Sequence, residues 1–229
     1  MKLKNNPVEI SIRTFGGLTI YCNGAPVIIS WSSQKARLFF CYLLITSDQW
    51  VHRDRFIELL WPGCSHDSGA KNLKTTLSRL RRSLRGTRDR DPILCQGDAY
   101  RLNFEAITCD CSVFRSEAVA GIRLMTRGDV VKGREHLEIA QELYTAEFLP
   151  EEPSDPFIVT ARRELAGLYE TIMNYLDRIY ASENRSDLFA SLRGLTHFPD
   201  FPHTSHRKVR MSPCPEGDVL IQAEVAVYN

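Results

Sequence analysis

Ser68-Gly69-Ala70-Lys71-Asn72-Leu73-Lys74-Thr75-Thr76-Leu77-Ser78-Arg79-Leu80-Arg81-Arg82-Ser83-Leu84-Arg85 decides how this 229-residue chain is read. Ala70, Leu73, Leu77, Leu80 and Leu84 recur in steps of three and four, so a helix buries them along one stripe. Lys71, Lys74, Thr75, Ser78, Arg82 and Arg85 project away from that stripe. Ordinary surface helices mix signs, because acids pair with Lys and Arg. Here Asp67 precedes the stretch and Asp89 follows it, with no acid between. A basic wet face offers cations to a phosphate backbone and short hydroxyls for close approach to bases.

Upstream, Val8 to Arg13, Leu18 to Tyr21 and Val27 to Ile29 are short alternating or β-branched runs. Gly16-Gly17 and Asn23-Gly24 separate them, which predicts a small antiparallel sheet. Ser32 or Ser33 can cap a helix through Lys35, Leu38, Phe39, Tyr42 and Leu44. A second helix spans about Arg53 to Trp61 and stops before Pro62-Gly63. A polar loop from Gly63 to Ser68 leads into the basic helix. Beyond it, Ile93-Leu94-Cys95 and Tyr100-Arg101-Leu102 flank Gln96-Gly97-Asp98-Ala99 as a β-hairpin. Sheet, helices, basic helix and hairpin, in that order, make a winged helix-turn-helix, whose second helix enters the major groove.

The Leu60-Trp61-Pro62 turn, the Asn72 to Arg82 run and the wing ending Ala99-Tyr100-Arg101-Leu102 resemble the OmpR-type winged helix. Thr14-Phe15-Gly16-Gly17-Leu18 resembles the version found in SARP-type activators, the regulators of antibiotic pathways. In that family a bacterial transcriptional activation domain follows. Asp110 to Arg127, Asp129 to Thr145 and Phe157 to Ala181 keep helical spacing. Leu143-Tyr144-Thr145-Ala146-Glu147-Phe148-Leu149-Pro150 is similar to the signature closing that domain's second helix, departing at Thr145-Ala146. Such domains are built from helix pairs like tetratricopeptide repeats; periodicity alone also allows a plain helical bundle.

The expected fold is therefore α+β: an N-terminal winged helix over 1–104, with a small antiparallel sheet and a β-hairpin wing. An all-α, tetratricopeptide-like and shortened activation domain follows over 105–196, then a tail of unassigned structure over 197–229. The resemblance covers roughly residues 7 to 196 and fails from His197. His197, His203, His206 and Cys214 are zinc-compatible types, but their spacing fits no finger or ribbon, so they are expected to be solvated.

A net charge of +1 hides a division. Residues 1–104 hold 16 Lys and Arg against 8 Asp and Glu, a balance of +8; residues 105–229 hold 13 against 20, a balance of −7. The basic half is suited to an anion, the acidic half to protein. Residues 7–104 are accordingly expected to bind duplex DNA without the rest. No apolar run is long enough for a membrane span, and no signal peptide is read at the start, so the expected compartment is the cytoplasm. The seven cysteines are odd in number and scattered, which favours free thiols; Cys109-Asp110-Cys111 is a weak metal signal. Neither a metal nor a cofactor is expected.

No Walker loop, Gly-x-Ser-x-Gly elbow or His-Glu-x-x-His motif occurs, so no enzyme is expected. Glu151-Glu152, set among prolines, reads as an exposed linker, and Asp54 between two arginines as a surface pair or a cap. No receiver sequence is read ahead of the winged helix, so activation by aspartyl phosphate is not expected.

Lys71 and Lys74 open the basic helix, where its dipole also favours phosphate. The resemblance implies that Asn72, Thr75, Thr76, Ser78 and Arg79 face the groove floor and that Arg81 and Arg82 reach the backbone. Arg79 is the best candidate for a bidentate guanine contact. Asn72 and Ser78 can equally be satisfied by their own backbone. Gln96 is placed to touch the flanking groove; Arg101 touches the backbone or pairs with an acid. Trp61 is expected in the core at its helix end. The implied partners are double-stranded DNA and RNA polymerase, with tandem protomers on direct repeats near a promoter. The competing reading is a protein-interaction module whose winged helix is a packing platform.

Overall fold

The computed structural model describes residues 10–46, 49–84 and 91–183. Strand β1 (Ile10–Arg13) turns Ile10 and Ile12 inward and leaves Arg13 outside, as its alternation requires. It pairs antiparallel with β2 (Thr19–Cys22), which pairs antiparallel with β3 (Ala25–Val27). Asn23 and Gly24 both take positive φ, 50° and 79°, and this tight turn sets Cys22 opposite Ala25. The turn therefore ends the third strand at Val27, whereas the sequence reading placed it over Val27 to Ile29; Ile28 lies past it, 99% exposed.

Helix α1 (Gln34–Ile45) is capped by Ser33, whose Oγ accepts from Ala36 N at 3.1 Å. A two-residue strand β4 (Val51–His52), which the sequence reading lacked, leads into α2 (Arg53–Leu60). Helix α3 (His66–Leu84) begins inside the stretch read as a loop. The hairpin β5 (Ile93–Gln96) and β6 (Ala99–Leu102) forms as expected, and β4 joins its edge to give the order β4-β6-β5.

After Phe104 comes a strand the sequence did not reveal, β7 (Ile107–Cys109). It lies parallel to β1, with Ile10 opposite Ile107, so the first sheet is four-stranded and mixed rather than purely antiparallel. The chain then forms α4 (Asp110–Thr126), α5 (Val130–Leu143) and α6 (Pro156–Ser182), close to the three helical stretches read from spacing.

The division drawn at Phe104 does not separate two packing units. The described residues belong to one compact body. Phe15 packs against Phe114, Tyr144 and Phe148, at centroid distances of 5.5, 4.7 and 6.2 Å. Tyr42 of α1 meets Phe157 edge-on at 5.1 Å and donates its hydroxyl to Asp155 Oδ2 at 2.6 Å. Burial, and then that hydrogen bond, push the Tyr42 phenol pKa upward.

Backbone groups are satisfied across the same boundary. Asp110 at the head of α4 accepts from Thr14 N at 2.8 Å and Phe15 N at 3.2 Å. Gly16 N donates to Glu147 O, and Leu149 N to Thr14 O, each at 2.9 Å. Glu151 Oε1 accepts from Leu18 N at 2.7 Å. Glu152, expected in an exposed linker, is buried, because it accepts from Gln34 and pairs with Arg37 of α1. Buried Arg162 donates to the carbonyls of Phe148, Leu149 and Glu152 at 2.8, 2.6 and 3.2 Å and so holds this turn together.

Val8, Arg85, Asp89 and residues 197–229 lie outside the described residues.

Candidate nucleic-acid interface

Helix α3 is held by its apolar stripe. Leu73, Leu77, Leu80 and Leu84 are buried, and Ala70 packs at the edge of the core. Gly69 sets how closely α3 crosses α2, since a Cβ there would collide with Ile57 Cγ2. Lys35 Nζ of α1 donates to Leu60 O at the end of α2, and Ser83 Oγ donates to Ser30 O at 3.2 Å. The first bond joins α1 to α2, and the second ties the C-terminal end of α3 to the segment ahead of α1.

Its outer face carries most of the predicted residues. Lys71, Asn72, Lys74, Thr75, Ser78, Arg79 and Arg82 are exposed. Among the described residues, the side chains of Lys71, Lys74, Arg79 and Arg82 have no hydrogen-bond or ion-pair partner. Within α3 the acid is Asp67 in the first turn, so the rest of this face is uniformly basic. Thr75 Oγ1 donates back to Lys71 O at 3.0 Å, a local bond that water or a ligand can replace.

Two predicted contacts on this helix are corrected. Thr76 is 4% exposed, so it cannot face a groove floor. It stands three residues after Leu73 and four before Leu80, on the same stripe as the leucines. Arg81 does not reach outward: its Nε lies 3.0 Å from Asp91 Oδ2, and its Nη2 donates to Ile93 O at 3.0 Å and contacts Cys95 Sγ at 3.2 Å. It bolts α3 to the first strand of the hairpin.

On the hairpin, Gln96 is exposed beside the Gly97 turn. Arg101 stacks its guanidinium over the Trp50 ring, 4.8 Å from the centroid, and both face outward in part. Trp61 is half-buried against the core, at the end of α2.

A cleft of about 600 Å³ runs between α3 and the hairpin. Lys71, Lys74 and Ser78 form one lip, and Asp98 and Tyr100 the other. Arg53, at the head of α2, closes one end, with Nη1 2.8 Å from Asp98 Oδ1. Its backbone N–H also donates to Asp98 O at 2.8 Å, which pins the hairpin turn. The sequence reading missed Arg53, Asp98 and Tyr100. Only the fold brings them beside α3, and no local pattern marks them.

Among the described residues, the ligand atoms of Cys109, Asp110 and Cys111 lie within 4.8 Å of one another. The Asp110 carboxylate is spent on the Thr14 and Phe15 amides, and the two thiols contact each other at 3.4 Å. This group is built to join β7 to β1 and is a poor metal cage. No described helix is long and apolar enough to cross a membrane.

No family model matches the chain, and no curated protein does. Among solved structures, Mycobacterium tuberculosis EmbR, in complex with a low-affinity phosphopeptide, is similar with a TM-score of 0.65 at 22% identity. The match covers 82% of this chain and 50% of that chain, so this chain spans half the length of EmbR. At that identity the likeness concerns the fold, and the chain has an EmbR-like α+β fold.

Proposed function

We propose that this protein is a sequence-specific, double-stranded DNA-binding transcriptional regulator of the SARP type. Helices α2 and α3 form its helix-turn-helix and the β5–β6 hairpin its wing. Helices α4 to α6 form a tetratricopeptide-like activation domain that contacts RNA polymerase. Protomers bind in tandem on direct repeats near a promoter, in the cytoplasm, without catalysis or cofactor. The observation that carries this reading is the outer face of α3, where four cations stand without a partner among the described residues and no acid follows Asp67 within the helix. Unpaired cations on a rigid, exposed helix are repelled by one another and are stabilised by phosphate. The EmbR-like fold and the sequence resemblance support the same reading.

Arg79 and Arg82 divide readout from anchoring. Selection of bound fragments from random duplexes defines the site. On that site Arg79→Ala is expected to relax the preference at particular base pairs, at a cost of about 1–3 kcal/mol there. Arg82→Ala should weaken all duplexes alike and flatten the salt slope by about one unit. Equal, sequence-independent losses from both changes would remove Arg79 from base reading.

A further inference from the structure

The geometry points to the cleft between α3 and the hairpin as the seat of a DNA backbone phosphate, with Asp98 holding that place in the free protein. This rests on the proposed DNA-binding function. In B-form duplex one sugar-phosphate strand separates the major groove from the neighbouring minor groove. A helix in the first and a hairpin turn beside the second must therefore straddle that strand. The space between α3 and the hairpin is the 600 Å³ cleft, and Lys71, Lys74 and Ser78 line its α3 lip with exposed donors.

Arg53 adds a fourth donor group, and its present partner is the Asp98 carboxylate, 2.8 Å away. Arg53 Nε, 3.6 Å from Asp54 Oδ1, makes no hydrogen bond, so the guanidinium is incompletely satisfied. Asp98 is the one acid among the residues lining the cleft, against the cations Arg53, Lys71, Lys74 and Arg81, and its side chain is half exposed. It supplies to Arg53 what a phosphate oxygen would supply, and it opposes the entry of that phosphate by like charge. Arg53 exchanges Asp98 for the phosphate when duplex enters. The turn itself stays in place, because the Arg53 N–H to Asp98 O bond does not depend on either side chain.

The test is duplex binding by the full chain across a salt series, for wild type, Asp98→Asn, Arg53→Gln and Arg82→Ala. Asp98→Asn should tighten binding about fivefold at low salt, the effect of removing one like charge near a phosphate in a watery site. Arg53→Gln should weaken binding and flatten the salt slope by about one unit. Opposite signs are the signature, since a pair that merely holds the turn would weaken binding when either partner is lost. Thermal midpoints of both variants check that the hairpin is intact. If Asp98→Asn weakens binding or leaves it unchanged while Arg82→Ala behaves as a phosphate contact, the cleft assignment is overturned and DNA binding stands. If the wild type binds no duplex at low salt, the DNA reading fails and takes the cleft assignment with it.

Discussion

A chain ending at Phe104 is expected to lose its cooperative fold, although the sequence reads as a self-sufficient DNA-binding module up to that point. Truncation there removes β7 and turns β1 into an edge strand. It uncovers Phe15, now 6% exposed, and Tyr42, now 2%. Burying each such ring contributes about 1.5–3 kcal/mol. The amides of Thr14, Phe15, Gly16 and Leu18 also lose their acceptors. Together the loss is on the order of 5 kcal/mol or more, comparable with the whole stability of a domain. Thermal unfolding followed by near-ultraviolet circular dichroism should show no sharp transition for the fragment. A sharp, native-like transition would show that the helical half is dispensable for folding. DNA binding is accordingly expected from the intact chain, and its absence from that fragment says nothing about α3.

Arg162→Met is expected to cost about 3–5 kcal/mol, measured as a lowered urea midpoint with an unchanged slope. The guanidinium is buried and serves three carbonyls, which a methionine leaves without donors. Those carbonyls belong to the turn that carries Phe148 against Phe15 and Leu149 against Thr14. Glu147 provides the control. Its carboxylate pairs with Arg162 Nε at 3.1 Å but is 42% exposed, so Glu147→Gln should cost less than about 1 kcal/mol. Equal costs for the two changes would mean that the ion pair, not the carbonyl contacts, holds the turn.

Much of the fold was legible because it is local. The 3.6-residue spacing of Leu73, Leu77, Leu80 and Leu84 marks α3, and the same spacing marks α4 to α6 within a few residues. The Gln96-Gly97-Asp98-Ala99 segment marks the hairpin. What escaped is non-local. Ile107 to Cys109 is too short to announce a strand, and its partner β1 lies almost a hundred residues earlier. Glu152 looks like a linker acid until α1 brings Arg37 to it. Seven of the nine predicted α3 contact residues stay on the outer face, because exposure follows from helical phase. Thr76 is misplaced because the resemblance assigns it to the groove floor, whereas helical phase sets it on the buried stripe, three residues after Leu73 and four before Leu80. Arg81 was misplaced for a different reason, as its partners Asp91 and Ile93 come from the hairpin.

The most direct measurement is the salt dependence of duplex binding by the intact chain. The unpaired cations of α3 require that the logarithm of the binding constant fall linearly with the logarithm of salt, with a slope of about −3 to −4 if three or four phosphates are neutralised. A selected sequence should bind at least about a thousandfold more tightly than random duplex at the same salt. A folded protein that binds no duplex at low salt, or binds with no salt dependence, would contradict the assignment of α3 to DNA.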